Sequence, residues 1–345
     1  MKNSPLPAIF GMYFKPKYRV ISAVLGEDFS SPDGVDIYLD MNTMVSVLSR
    51  AAKFMNSLPF SDSVEKDIVS SVLGTVKHWK DFVRKYDGSR IFLLWNTFEM
   101  GNLPEQTVIE QYLRGYQRRY QDDRFKQFVY YWTEAMKKVE IVLKYVPQIY
   151  FIKTSFVDSY IVPAILSGEE RMKLIVSGEG LFTSYNFYPK SKVMYSRFSK
   201  HGNSHISDPL MISQCLSKID MELMQIFCAN EVFYNLLQAI IGDMERGLMG
   251  MTSFGITNFA TELLRAVEQH KITKDPKSIE SVFPCINPNY HDYLKHAYPL
   301  INVESHLQLI PPSVIEKTKA LMIDLLDIDG LAKLNVDGLN LMELL

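Results

Sequence analysis

The sequence VDIYLDMNTM, residues 35–44, passes from a short apolar run through a carboxylate into a helical pattern. Its apolar first half is typical of a buried strand, and Asn42 or Thr43 can cap the helix that follows. Functional groups in open α/β sheets collect where strands end at their carboxyl edge. The stretch therefore predicts a strand that delivers Asp40 to the edge of a sheet.

Three later stretches repeat this design, at residues 91–96, 148–153 and 173–179. Each is a short apolar run that ends near a polar group, and helical patterns separate the runs. Strands that alternate with helices predict a mostly parallel central sheet with helices on both sides. We therefore expect an α/β fold, followed from about residue 206 by a largely helical region.

Carboxylates follow three of the four predicted strands: Asp40, Asp158 and Glu179. If they converge at one sheet edge, they suggest a divalent-metal site, because a cation offsets the repulsion between like charges. The alternative is that one or more of them are ordinary helix caps, for which Asp158 is well placed. The second strand ends on an amide, Asn96.

Composition restricts the class of protein. The chain has 345 residues, 47% of them hydrophobic, which is enough for a substantial core. We expect an intracellular protein without a membrane segment, since no apolar run approaches about 18 residues and prolines break the start of the chain. We interpret residues 1–34 as an irregular leader. The net charge is −2, so any nucleic-acid binding must come from local patches.

Residues 105–126 interleave tyrosines with basic side chains, among them Arg114, Arg118 and Arg119. Such a surface can grip a phosphate backbone and stack on bases. The alternative is an amphipathic helix with a solvated basic face.

Residues 242–264 combine glycines with two flanking helical patterns. Glycines at this spacing make a hairpin whose backbone N–H groups can approach a phosphate closely. The candidate DNA-binding residues in this hairpin are Gly250, Gly255 and Thr257. Asp243, at its start, is a further candidate acid.

In this order, the stretches resemble the flap endonuclease (5′ nuclease, PIN-like) family, and more closely its phage-type ribonuclease H branch. The resemblance implies a nuclease-fold domain over 35–205 with a helical arch at about 105–126. It also implies a C-terminal region over 206–345 that carries a helix-hairpin-helix-like DNA-binding motif. Family enzymes hydrolyse phosphodiesters with carboxylates that hold two magnesium ions.

This sequence departs from the family at five acidic positions of that cluster. The residues that stand there are Asn96, Ser155, Val157, Leu181 and Arg246. Valine and leucine cannot ligate a metal through their side chains, and an arginine places a cation where the metal's field should be.

The acids that remain as residual catalytic candidates are Asp40, Asp158, Glu179 and Asp243. We expect at most one Mg²⁺, held by Asp40, Asp158 and Glu179, or no metal at all. In the arch the family's lysine and arginine are absent at the matching positions, and Arg114 or Arg118 can compensate.

Three functions are compatible with these residues. The leading hypothesis is a phage ribonuclease H-like protein that is catalytically impaired and acts as a DNA-binding or structural component. The second is an active metal-dependent 5′–3′ exonuclease or flap endonuclease in phage DNA replication. The third is a protein-interaction scaffold in a phage particle or a replication or transcription assembly, with viral protein partners. The expected location is the cytoplasm of a host cell, or the virion.

Overall fold

A computed structural model gives the fold of this protein. It describes residues 34–48, 62–84, 87–96, 123–144, 146–154, 156–196, 204–207, 230–242, 248, 250, 262–263 and 265–322.

The centre of the fold is one sheet with the strand order β3-β2-β1-β4-β5-β6. Its strands are β1 (Val35–Asp40), β2 (Arg90–Asn96), β3 (Ile149–Thr154), β4 (Met172–Ser177), β5 (Ser191–Ser196) and β6 (Ser204–Ser207). Strands β1 to β5 are parallel, and β6 pairs antiparallel with β5. The predicted mostly parallel sheet is confirmed, and it continues to Ser207.

The chain changes direction across the sheet at β1. From β1 it adds β2 and then β3 on one side, after which β4 pairs with the other side of β1 and β5 and β6 follow outward. In open α/β sheets, such a switch point opens a crevice beyond the carboxyl ends of the strands. Asp40 ends β1 at this point.

The helices are α1 (Met41–Leu48), α2 (Asp62–Val83), α3 (Asp123–Leu143), α4 (Val162–Ser167), α5 (Glu231–Ile241), α6 (His291–Ile301), α7 (Val303–Leu309) and α8 (Pro312–Lys319). Short 3₁₀ segments cover Gly180–Phe187, Ile279–Ser281, Phe283–Cys285 and Pro288–Tyr290. In the parts of the chain that the structure describes, no helix is long and apolar enough to span a membrane.

The two faces of the sheet carry separate cores. Ile37 and Leu39 of β1 face the core that is shared with α1, α2 and α3, where Trp132 is fully buried. Tyr38, between them, faces the core that is shared with α4, α5 and α6. Side chains alternate across a strand, so β1 serves both cores. Helices on both sides of the sheet are therefore confirmed, and the described C-terminal helices pack onto one of its faces.

Candidate site at the carboxyl edge of the sheet

Asp40 ends β1 as a fully buried carboxylate. Helix α1 begins at the next residue, Met41, and Oδ1 of Asp40 accepts the backbone N–H of Asn42 at 3.0 Å. This is the contact of an N-cap residue. The prediction that Asn42 or Thr43 caps this helix is therefore wrong. Both lie in its first turn, because Asp40 itself occupies the capping position.

The second carboxylate oxygen of Asp40 ties β1 to β4. Oδ2 accepts the hydroxyl of Thr43 at 2.5 Å and the hydroxyl of Ser177 at 2.7 Å. These hydroxyls also accept backbone N–H groups of the loop after β4, Thr43 from Gly178 at 2.9 Å and Ser177 from Glu179 at 3.0 Å. The segment Ser177-Gly178-Glu179 is thus fixed to Asp40 by a chain of hydrogen bonds.

Asn96 is the corresponding link on the other side of β1. Its Oδ1 accepts the hydroxyl of Thr154 at 2.8 Å and the backbone N–H of Ser159 at 2.9 Å. The two accepted hydrogen bonds identify this atom as the carbonyl oxygen, because an amide nitrogen only donates. The Nδ2 atom therefore points the other way, and it donates to Oδ1 of Asp158 at 3.3 Å.

Asp158 lies in a turn between β3 and α4. Its Oδ1 also accepts the backbone N–H of Tyr160 at 3.0 Å. Helix α4 begins at Val162, and its N-cap residue, Ile161, makes no side-chain capping bond. Asp158 thus stabilises the turn before the helix, and the alternative that it caps the helix is wrong.

Asn42 connects the network around Asp40 to the network around Asn96. Its Nδ2 donates to the hydroxyl of Ser159 at 3.3 Å, which joins α1 to the turn that holds Asp158. Its Oδ1 is buried and has no hydrogen-bond partner among the residues that the structure describes. One network of hydroxyl, amide, carboxylate and backbone groups therefore runs along the ends of β3, β2, β1 and β4.

The described residues do not fit the multi-carboxylate metal site of a flap endonuclease. Among them, no group of three or more His, Cys, Asp or Glu side chains is placed to hold a metal ion. Asp40 accepts hydrogen bonds through both of its carboxylate oxygens, and Asp158 accepts them through Oδ1. An amide N–H directed at Asp158 is a hydrogen-bond donor and not a ligand.

Glu179 and Gly250 are the other predicted site residues that the structure describes. Glu179 is the N-cap residue of the 3₁₀ segment Gly180–Phe187, and its side chain makes no capping bond there. The backbone N–H of Gly250 donates to the hydroxyl of Tyr293 at 2.9 Å, so this amide is engaged within the protein.

The base of the predicted hairpin depends on glycine. Gly242 has φ of +76°, and a Cβ atom there would come within 2.5 Å of the backbone nitrogen of Gly250. No other residue fits this approach without strain. The remaining predicted residues lie outside the described part of the chain: Asp243, Arg114, Arg118, Arg119, Gly255, Thr257, Ser155 and Arg246.

The hydroxyl groups of the site were not predicted from the sequence. The hydroxyls of Thr154 and Ser159 hold the amides of Asn96 and Asn42, and the hydroxyls of Ser177 and Thr43 hold the carboxylate of Asp40. The only sequence feature that could have identified these residues is their position, since each lies at or within a few residues of a strand end. Serine and threonine are too common in such loops for position alone to identify them.

Comparison with known proteins places this geometry in a fold family. A pseudo-enzyme form of the bacteriophage T5 flap endonuclease, in a complex with product DNA and metal ions, matches with a TM-score of 0.51. The match covers 84% of this chain and 98% of that chain. The chain has the flap endonuclease fold. The identity of 13% means that the match supports the fold alone.

A second solved structure, the T5 5′-exonuclease with bound zinc, matches with a TM-score of 0.49 and 13% identity. It covers 84% of this chain and 98% of that chain. No protein-family model and no curated protein sequence matches this chain.

Proposed function

We propose that this protein is a DNA-binding or structural component with a flap endonuclease fold and an impaired nuclease site. The observation that carries the proposal is the contact from Asn96 to Asp158 at 3.3 Å, at a strand end where the flap endonuclease pattern has a second acid. Two neighbouring acids repel one another and attract a cation, whereas an amide donor beside one acid satisfies it directly.

The expected ligand is DNA with a single-stranded end or flap. The support is the basic and aromatic composition of residues 105–126 together with the glycine-rich hairpin that begins at Gly242. The T5 flap endonuclease structure of the same fold is itself a DNA complex. In the proposal the arch contacts a single strand through Arg114, Arg118 and Arg119, and the hairpin contacts duplex backbone.

DNA binding is tested by fluorescence anisotropy with a labelled 5′-flap duplex in low salt and EDTA. Charge reversal of Arg114, Arg118 and Arg119 to Glu should reduce affinity by at least about tenfold and flatten the salt dependence, because fewer phosphates are neutralised. The matched control reverses three exposed lysines outside the arch: Lys66, Lys77 and Lys144. Equal loss in the control, or unchanged affinity in the arginine variant, would contradict the proposed role of the arch.

The retained acids favour one second candidate, an active 5′–3′ exonuclease or flap endonuclease that uses magnesium or manganese. Asp40, Asp158 and Glu179 do lie at or just beyond strand ends on the carboxyl edge of the sheet. Asp243 would be the fourth acid. This candidate requires cleavage of the flap substrate.

A protein scaffold in a phage particle or replication assembly is the third candidate. A scaffold needs no basic arch, so it predicts no affinity for the flap duplex in the anisotropy experiment. It also predicts that the arginine reversals leave binding to a viral protein partner intact.

A further inference from the structure

The amide of Asn96 joins three elements at the carboxyl edge of the sheet. In a carboxylate cluster, a cation draws together groups on different strands that would otherwise repel each other. Here Asn96 stands at the end of β2, between the end of β3 and the turn that contains Asp158. All three elements are connected through its one amide group.

The amide of Asn96 makes three hydrogen bonds whose directions are mutually consistent. The carbonyl oxygen accepts hydrogen bonds from the Thr154 hydroxyl and the Ser159 backbone N–H. The NH₂ group donates one to Asp158. An aspartate at this position could keep the first two contacts, because a carboxylate accepts. It could not make the third, because an ionised carboxylate has no proton to donate to Asp158.

Because residue 96 is buried, replacing its amide by a carboxylate would have a large electrostatic effect. Asn96 is only 6% exposed, and Thr154 and Ser159 are each 1% exposed. Asp158 itself is half-buried. A second ionised carboxyl group beside it would add a repulsion that a bound cation or a shared proton relieves. The amide requires neither, so it removes the electrostatic need for a metal.

We propose that Asn96 takes the place of a divalent cation as the group that positions Asp158, so that the carboxyl edge forms fully without metal. This inference rests on the proposed loss of the nuclease site and explains what holds that site together after the loss. Asn42 extends the same arrangement, since it joins α1 to Ser159 through a further amide hydrogen bond at 3.3 Å.

Thermal unfolding of the full-length chain tests the inference without reference to DNA. The wild-type protein should have the same Tm in EDTA, in Mg²⁺ and in Mn²⁺. Asn96→Asp should lower the Tm by several degrees in EDTA at neutral pH, and Mg²⁺ or Mn²⁺ should restore much of that loss in a saturable way. The matched control, Asn289→Asp, adds the same charge at an exposed position and should show neither effect.

A second variant keeps the test decisive if Asn96→Asp fails to fold. Asp158→Asn retains an oxygen that can accept from Asn96 and Tyr160 but removes the charge. It should fold, with a Tm that is close to wild type and unaffected by EDTA. Saturable stabilisation of the wild-type protein by Mg²⁺ or Mn²⁺, abolished in Asp158→Asn, would overturn the inference. So would an Asn96→Asp protein that folds as stably as wild type in EDTA.

The two proposals fail in different ways. A metal-independent Tm together with no DNA affinity would reject the DNA-binding function and leave the role of Asn96 intact. Metal-dependent stability together with DNA affinity would reject the role of Asn96 and leave the DNA-binding function intact.

Discussion

The two edges of the central sheet hold buried carboxylates in opposite ways. At the amino edge, Asp36 of β1 is fully buried and bonds the guanidinium groups of both Arg90 and Arg171. At the carboxyl edge, the described donors to Asp40 are neutral, namely two hydroxyls and a backbone N–H. One strand, β1, carries both residues, four positions apart.

The difference lies in the described donors, which include charged guanidinium groups at Asp36 and are neutral groups at Asp40. Burial alone would raise the pKa of Asp36, but hydrogen bonds from Arg90, Arg171 and Ser167 outweigh it and hold that pKa below its ordinary value. The amino edge therefore has its own counter-charges and is structural. At the carboxyl edge, the described hydrogen bonds to Asp40 and Asp158 come from hydroxyl, amide and backbone N–H groups.

The largest effect is expected when the ion pair at the amino edge is broken. Asp36→Ala leaves the two arginine side chains without their shared carboxylate, and both are only about a quarter exposed. Losing one partner of a buried ion pair costs about 3–5 kcal/mol in the free energy of unfolding, which urea denaturation measures.

The control for this variant is Glu316→Ala, which removes an exposed partner of Lys319 and should leave stability unchanged within error. Acid denaturation gives a second test of the role of Asp36. Because the pKa of Asp36 is lowered by folding, its contribution is present above its unfolded value and is lost as the pH falls through the folded value. Asp36→Ala should therefore show a shallower loss of stability in acid. Equal urea midpoints for the two variants would contradict the structural role.

A smaller effect is expected from breaking the neutral network at the other edge. Ser177→Ala removes the hydroxyl that donates to Asp40 and accepts the N–H of Glu179. A buried hydrogen-bonding group left without its partner costs about 1–3 kcal/mol, so the urea midpoint should fall.

The same substitution at an exposed position, Ser281→Ala, is the control, since that hydroxyl bonds only the nearby carbonyl of Ser278 among its described contacts. If Ser177→Ala were no more destabilising than this control, the hydroxyl of Ser177 would not be holding the site.

The smallest effect concerns Lys173, a buried lysine at the amino edge. Its ammonium group donates to the carbonyls of Gly168 and Arg171 and lies over the ring of Tyr188. Burial lowers the pKa of Lys173 to about 8, even though Asp36 and Glu169 favour the charged form and Lys190 opposes it. The unfolded chain therefore binds more protons than the folded protein between pH of about 8 and about 10.4.

Across that window the free energy of unfolding should rise with pH, by up to about 2 kcal/mol after solvent screening is allowed for. Lys173→Met should lack this rise, and denaturation of both proteins at pH 7 and pH 10 measures it. Parallel curves for the two proteins would show that the fold does not shift the titration of Lys173.

Much of the fold could be predicted from residue patterns. The apolar runs that end at Asp40 and Asn96 identified β1 and β2, and the helical patterns between runs predicted a parallel arrangement, because parallel strands need a crossover. The order of the strands in the sheet and the antiparallel β6 could not be read from the chain. They depend on packing between distant segments, and β6 has only four residues.

The strand pattern predicted where the acids lie along the sheet, but it did not predict the hydrogen bonds around them. Position at a strand end placed Asp40, Asp158 and Glu179 at the correct edge. The hydrogen bonds of Asn96 could not be anticipated, since they join residues 58 to 63 positions apart and depend on which way one amide faces. Capping by Asp40 was one of the alternatives for the acids at the strand ends, but Asn42 and Thr43 were predicted as the caps of this helix because they are also good capping residues.

The most direct test of the account is cleavage of a labelled 5′-flap and a nicked duplex by the purified protein in Mg²⁺ and in Mn²⁺. Asp40→Asn is assayed beside the wild type, after circular dichroism confirms that both are folded. The account predicts that the DNA is bound and remains intact with either metal. Cleavage by the wild-type protein that disappears in Asp40→Asn would contradict it and establish that the remaining acids still form a working nuclease.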